Sequence, residues 1–142
     1  MMKSIPVWKQ ELSGGVHAAR LASLYCCAPA ETASEAARYA AVLDGLEKTF
    51  GSHAEAGLYS APGRTEIGGN HTDHQHGRVL AGSVNIDMIA AAAPNDKNQL
   101  RVQSEGYDLC VIDLNDLEAR KEEENTTAAL LRGECEIGRA HV

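Results

Sequence analysis

Between Pro62 and Asn85 the chain reads PGRTEIGGNHTDHQHGRVLAGSVN, and this stretch constrains the fold more than any other. Gly63, Gly68, Gly69 and Gly77 fall within fifteen residues, and each glycine costs roughly 1 kcal/mol in a helix interior. A regular helix is therefore excluded here. The spacing predicts a shaped loop that gathers the polar side chains of Arg64, Asn70, His71 and Asp73. Loops of this kind carry binding groups on a more rigid scaffold.

The flanking sequence predicts the scaffold. From Ala33 to Phe50 the apolar positions Ala36, Ala37, Ala40, Ala41, Leu43, Leu46 and Phe50 recur at three- and four-residue intervals, as a helix requires. Thr32 or Ser34 can cap its start and Gly51 can end it. Val7 to Leu24 reads as helix interrupted at Gly14-Gly15. Beyond Gly51 come short strand-like runs at Leu58 to Ala61, Asp87 to Ala93, Leu100 to Ser104 and Leu109 to Leu114, divided by turn residues such as Pro94-Asn95-Asp96. A final helix is expected from about Glu122 to Gly133. Helices first, then a strand-rich block, then a helix, is an α+β order.

Composition narrows the partners. With 142 residues and 44% apolar side chains the chain can bury one core. Aromatic residues are only 4%, so that core is expected to rest on Ala, Leu, Val and Ile. A net charge of −7 argues against nucleic acid or an anionic membrane as partner, because either would repel it. No stretch approaches the ~20 apolar residues of a membrane helix, and the start lacks a signal-peptide core. Cys26, Cys27, Cys110 and Cys135 have neither metal-finger nor disulfide-framework spacing and read as reduced cytoplasmic thiols.

The glycine-punctuated stretch resembles the first motif of the galactokinases, a branch of the GHMP small-molecule kinases. That pattern runs approximately Pro-Gly-Arg-Val-Asn-Leu-Ile-Gly-Glu-His-Thr-Asp-Tyr, and Pro62, Gly63, Arg64, Gly69, His71, Thr72 and Asp73 match it without gaps. Val79-Leu80 and Val84 to Asp87 resemble the strand that follows the motif. A weaker resemblance runs from about Leu58 to Gly133. It implies the N-terminal part of a GHMP-kinase fold: a helical extension at 1–57, a partial kinase domain at 58–133 and a non-native tail at 134–142. The last seven residues, Glu136 to Val142, resemble the translation of a sequencing-adapter end, which makes a truncated reading frame the expectation. An ordinary charged tail is the alternative.

The resemblance implies an ATP-dependent kinase, acting with Mg²⁺, that phosphorylates the anomeric hydroxyl of galactose or a related sugar. Its partners are then the sugar and ATP. Arg64 corresponds to the arginine beside the reacting hydroxyl, and it suits catalysis because a guanidinium stays charged where phosphoryl oxygens gather negative charge. Arg64, Asn70, His71 and Asp73 are the expected sugar contacts, with Asp73 able to accept from two vicinal hydroxyls. Gly63, Gly68, Gly69 and Gly77 are expected to shape the loop. The bland readings are a loop-stapling arginine, an Asx turn at Asp73 and a satisfied loop histidine at His71.

Two departures bear on substrate. Asn70 stands where galactokinases commonly have glutamate, and an amide donates as well as accepts, so the preferred sugar can differ. The chain contains no Gly-x-Gly-Ser-Ser run, the second motif of the family, and it stops short of the catalytic aspartate. The piece is therefore expected to be inactive alone. A sugar-sensing regulator that lost catalysis is one alternative. Another is a small metal-binding domain using His71, Asp73, His74 and His76, whose side chains are all competent zinc ligands. The sugar pattern already accounts for His71 and Asp73, and the expectation for metal is none.

Overall fold

A computed structural model of the chain describes residues 1–53, 55–69 and 77–140. Two compact units are present, Met1–Ala93 and Pro94–Val142. Both combine helices with a small antiparallel sheet, so the chain is α+β.

The first unit begins with α1 (Ile5–Ser13), which places Pro6 in its first turn, where a missing N–H has no cost. Gly14 and Gly15 break the helix as their sequence predicts, with Gly15 at φ +72°. The second helix, α2 (Ala18–Tyr25), ends on Cys26 in the left-handed conformation. A single 3-10 turn, Pro29–Glu31, leads to α3 (Ala33–Phe50). The bounds of α3 are those its apolar periodicity predicts, and Gly51 closes it at φ +84° with its N–H on the Glu47 carbonyl. Thr32 sits at the cap position but does not cap through its side chain. Its hydroxyl donates to the Pro29 carbonyl at 2.8 Å instead.

The face of α3 bearing Tyr39, Leu43 and Leu46 packs against Ile5 and Leu12 of α1 and Leu21 and Tyr25 of α2. Leu43 is fully buried. The expectation of an aliphatic core needs correcting, because Tyr25 and Tyr39 belong to the buried set. Their hydroxyls lie 3.1 Å apart; Tyr25 donates its hydrogen to Asp87, so Tyr39 donates to Tyr25, and both buried phenols are satisfied.

Against these helices lies a long hairpin of β1 (Gly57–Gly68) and β2 (Leu80–Ala92). The register pairs Gly57 with Ala92 and continues to Pro62 with Asp87, then shifts twice before Gly68 meets Leu80. Leu58, Ile89 and Ala91 pack on the core. Tyr59, Ile86 and Met88, on the opposite face by period-two alternation, are exposed. Trp8 fixes the base of the hairpin by donating its indole N–H to the Ala56 carbonyl at 2.8 Å, beside a bridge between Lys3 and Ala56.

One sequence expectation fails here. The shaped loop was to begin at Pro62, yet β1 runs on through Gly68. Glycine density excludes a helix but not a bulged strand, and the register shifts at Pro62/Arg64 and Glu66/Gly68 absorb the irregularity.

In the second unit, β3 (Gln99–Val102) and β4 (Cys110–Asp113) pair from Gln99–Asp113 to Val102–Cys110. A 3-10 turn, Lys121–Glu123, precedes α4 (Thr127–Ala140). Arg132 of α4 is buried and forks onto both Glu123 oxygens at 2.9 and 2.7 Å, a bidentate geometry that arginine favours. The helix was expected to stop at Gly133 but continues to Ala140. Gly133 is not among the positive-φ glycines, so it keeps its place in the helical ladder at the modest cost of a missing side chain.

Candidate functional site

Arg64 is the one expected sugar-site residue that the described structure places, and it lies on β1 opposite Ser83, not in a loop. It sits directly after the first register shift, where a bulge re-aims side chains. Arg64 is exposed and has no hydrogen bond or ion pair among the described residues. A cation left free in this way is available to a ligand. Asn70, His71 and Asp73 lie outside the described residues, as do His74 and His76 of the metal alternative. Among the described residues, no group of three His, Cys, Asp or Glu side chains is disposed to hold a metal ion.

The expected shaping glycines occupy distinct environments. A Cβ on Gly63 would stand 2.9 Å from Val84 Cγ2 and 3.0 Å from the Ile86 carbonyl, so the bulge is closed around a bare backbone. Gly69 has φ +107°, and a Cβ there would press into the Arg78 carbonyl and stand 2.9 Å from Val79 Cα. These two positions need glycine for stated reasons. Gly68 and Gly77 have open space around them.

The residue that sequence reasoning missed is Asp87. It sits on the inner face of β2, its side chain only 3% exposed. Oδ2 accepts the Tyr25 hydroxyl and the Ser60 hydroxyl, each at 2.6 Å. Oδ1 accepts Arg38 Nη2 at 3.0 Å. Burial pushes the Asp87 carboxyl upward, but donation from Ser60, Tyr25 and Arg38 outweighs it and holds the group below the usual carboxylate range. Burial, and then the bond to Asp87, raise the Tyr25 phenol. Bonds to Glu35 and Asp87 raise the Arg38 guanidinium. The available signal was an aspartate in phase with Ile89 and Ala91, two apolar residues of the same strand.

A second polar cluster braces the start of the unit. Glu11 accepts from Lys3 at 2.5 Å and pairs with His17 at 2.7 Å, and both bonds hold its carboxyl below the usual range. Lys3 also lies over the Trp8 ring at 4.8 Å.

Two comparisons with known proteins name galactokinases. Residues 46–94 match the family described as "Galactokinase galactose-binding signature", which takes in the end of α3 and the whole of β1 and β2. The chain carries a galactokinase signature. It is 35% identical over 83 residues to a galactokinase of Ligilactobacillus salivarius (strain UCC118), covering 56% of this chain and 21% of that protein. The galactokinase of Lacticaseibacillus casei is 33% identical over 66 residues, covering 46% of this chain and 17% of its own length. That of Streptococcus suis (strain 05ZYH33) is 34% identical over 71 residues, covering 48% and 18%. The chain thus spans about a fifth of the curated galactokinases it matches. No solved structure gives a significant match. No helix among the described residues is long and apolar enough to cross a membrane.

Proposed function

We propose that this chain is the sugar-binding front part of an ATP-dependent kinase that phosphorylates the anomeric hydroxyl of galactose or a closely related sugar. The observation that carries the reading is the galactokinase signature over residues 46–94, whose Arg64 is exposed and unpaired among the described residues at a bulge of β1. In this reading Arg64 lies beside the reacting hydroxyl, where it also meets the charge of the transferred phosphoryl group, and it binds the sugar together with Asn70, His71 and Asp73. Gly63 and Gly69 stand where a side chain would collide with neighbouring backbone or side chains, while Gly68 and Gly77 have open space around them.

The family resemblance puts ATP–Mg²⁺ on a second, glycine- and serine-rich motif, and no Gly-x-Gly-Ser-Ser run exists in the chain. The nucleotide, its metal and the base that takes the hydroxyl proton belong, on this proposal, to the remainder of a cytoplasmic kinase. What this stretch supplies is orientation of the sugar and one positive charge, both of which lower a phosphoryl-transfer barrier.

Steady-state kinetics on the complete protein test the proposal. Asp73→Ala is expected to cost about 2–4 kcal/mol in kcat/KM, the range for losing hydrogen bonds to a charged group in a desolvated site. Asn70→Glu is expected to reorder preference among galactose, glucose, mannose and N-acetylgalactosamine, because a mismatched hydroxyl strands a buried polar group. A complete protein that phosphorylates none of these sugars contradicts the proposal.

A further inference from the structure

We propose that Asp87 is a register pin that positions Arg64 for the sugar, an inference that rests on the functional reading above. Three elements converge on this one carboxylate: Tyr25 from α2, Arg38 from α3 and Ser60 from β1. Asp87 itself pairs with Pro62, the last regular pair before the first bulge, and the next pair along is Arg64 with Ser83. One residue of β1, Gly63, therefore opposes three of β2, residues 84–86. The direction of everything beyond the bulge depends on how firmly the pair before it is held.

The choice of a charge here is informative. Its in-phase neighbours toward the base of the hairpin, Ile89 and Ala91, are apolar and pack on the core beside Leu58. A buried ionic group is weak support for stability, since well-packed apolar residues often serve as well or better, and its best-attested use is to fix register. A one-residue slip of β2 would turn Asp87 outward and bring Ile86 or Met88 against the hydroxyls of Tyr25 and Ser60. Those donors would lose their acceptor, and the carboxylate would lose all three of its donors. The slipped hairpin is thus disfavoured, whereas an aliphatic residue at 87 would leave it open. Arg64, past the bulge and without a partner among the described residues, has nothing of its own to set its direction.

The test uses the 142-residue chain with Asp87→Leu, Asp87→Asn and the core variant Leu43→Ala, chosen at a temperature where all remain folded. Two readouts are taken: the Kd for D-galactose, and amide hydrogen exchange across the chain. A pin predicts that the Asp87 variants lose exchange protection at residues 63–67 while α3 keeps its own, and that galactose affinity falls roughly tenfold, about 1.4 kcal/mol. Leu43→Ala is expected to lower the melting temperature at least as much yet change Kd less than about twofold, since a purely structural loss does not select the bulge. Unchanged affinity and unchanged exchange in the Asp87 variants overturn the proposal. So does an affinity loss that follows melting temperature equally in Leu43→Ala. If the unaltered chain does not bind galactose, the sugar-binding reading fails, and exchange alone decides the pin: loss confined to 63–67 upholds it and uniform loss refutes it. Should Asp87→Leu not fold, Ser60→Ala and Arg38→Met each remove one donor and are read in the same way.

Discussion

Replacing Gly69 by alanine is expected to damage the hairpin tip far more than the same change at Gly68 or Gly77. Gly69 holds φ +107°, a region that costs a residue with a Cβ about 1–3 kcal/mol. The added methyl would also meet backbone, the Arg78 carbonyl and Val79 Cα, which no rotamer change relieves. Overpacking of that kind adds about 1–3 kcal/mol. Against these stands a stabilisation of about 0.4–1 kcal/mol from restricting the unfolded chain. The net expectation is about 2–4 kcal/mol. At Gly68 and Gly77 the φ is not positive and nothing lies within 4 Å, so only the unfolded-state effect remains and the change is expected to lie within about 0.5–1 kcal/mol of zero. Urea unfolding followed by the fluorescence of Trp8, the single tryptophan, reports on the first unit, and amide exchange at Gly68, Arg78 and Val79 reports local fraying. If Gly69→Ala matches Gly77→Ala in both, the close approach of the two strand ends at Gly69 is wrong.

The depressed Asp87 carboxyl predicts the pH dependence: its contribution is present above the unfolded pKa of about 4 and fades as pH falls through that value toward the lower folded one. Glu11 behaves in the same direction, so the quantity to measure is the difference in Trp8-monitored urea midpoint between the unaltered chain and Asp87→Asn, which should shrink between about pH 5 and pH 3. Arg64→Ala is expected to leave the unfolding midpoint within about 0.5 kcal/mol, as for other exposed surface positions, while abolishing sugar binding. ADP release from ATP by the 142-residue chain is expected to be independent of added sugar, and sugar-dependent release that disappears in Arg64→Ala would contradict the assignment of the nucleotide site to other parts of the protein.

The helical half was legible because its determinants are local. Alanine and leucine spacing located α3, Gly51 marked its end, and Gly14-Gly15 divided α1 from α2, each within a few residues of the signal. The hairpin was legible only in pieces. The motif glycines exclude a helix, yet nothing in their spacing shows that bulges let β1 and β2 run unbroken to Gly68 and from Leu80. Gly133 misled for a related reason, since a glycine ends a helix only where the chain adopts a left-handed turn. Asp87 lay furthest from reach. Its partners stand 62, 49 and 27 residues away, and period-two alternation gives the face of a strand but not what packs on it. Of the site itself, the motif showed Arg64 by its position after Pro62-Gly63. Its placement on a strand, exposed and unpaired among the described residues, came from the fold.

The most direct measurement of the central claim is a sugar titration of the isotopically labelled chain, followed through its backbone amides. The account predicts that galactose or a close stereoisomer shifts the resonances of Gly63 to Gly69 and of Gly77 to Val79 in a saturable manner, that Arg64→Ala removes the effect, and that α4 is unmoved. Shifts that never saturate with any sugar tested, or that survive intact in Arg64→Ala, contradict it.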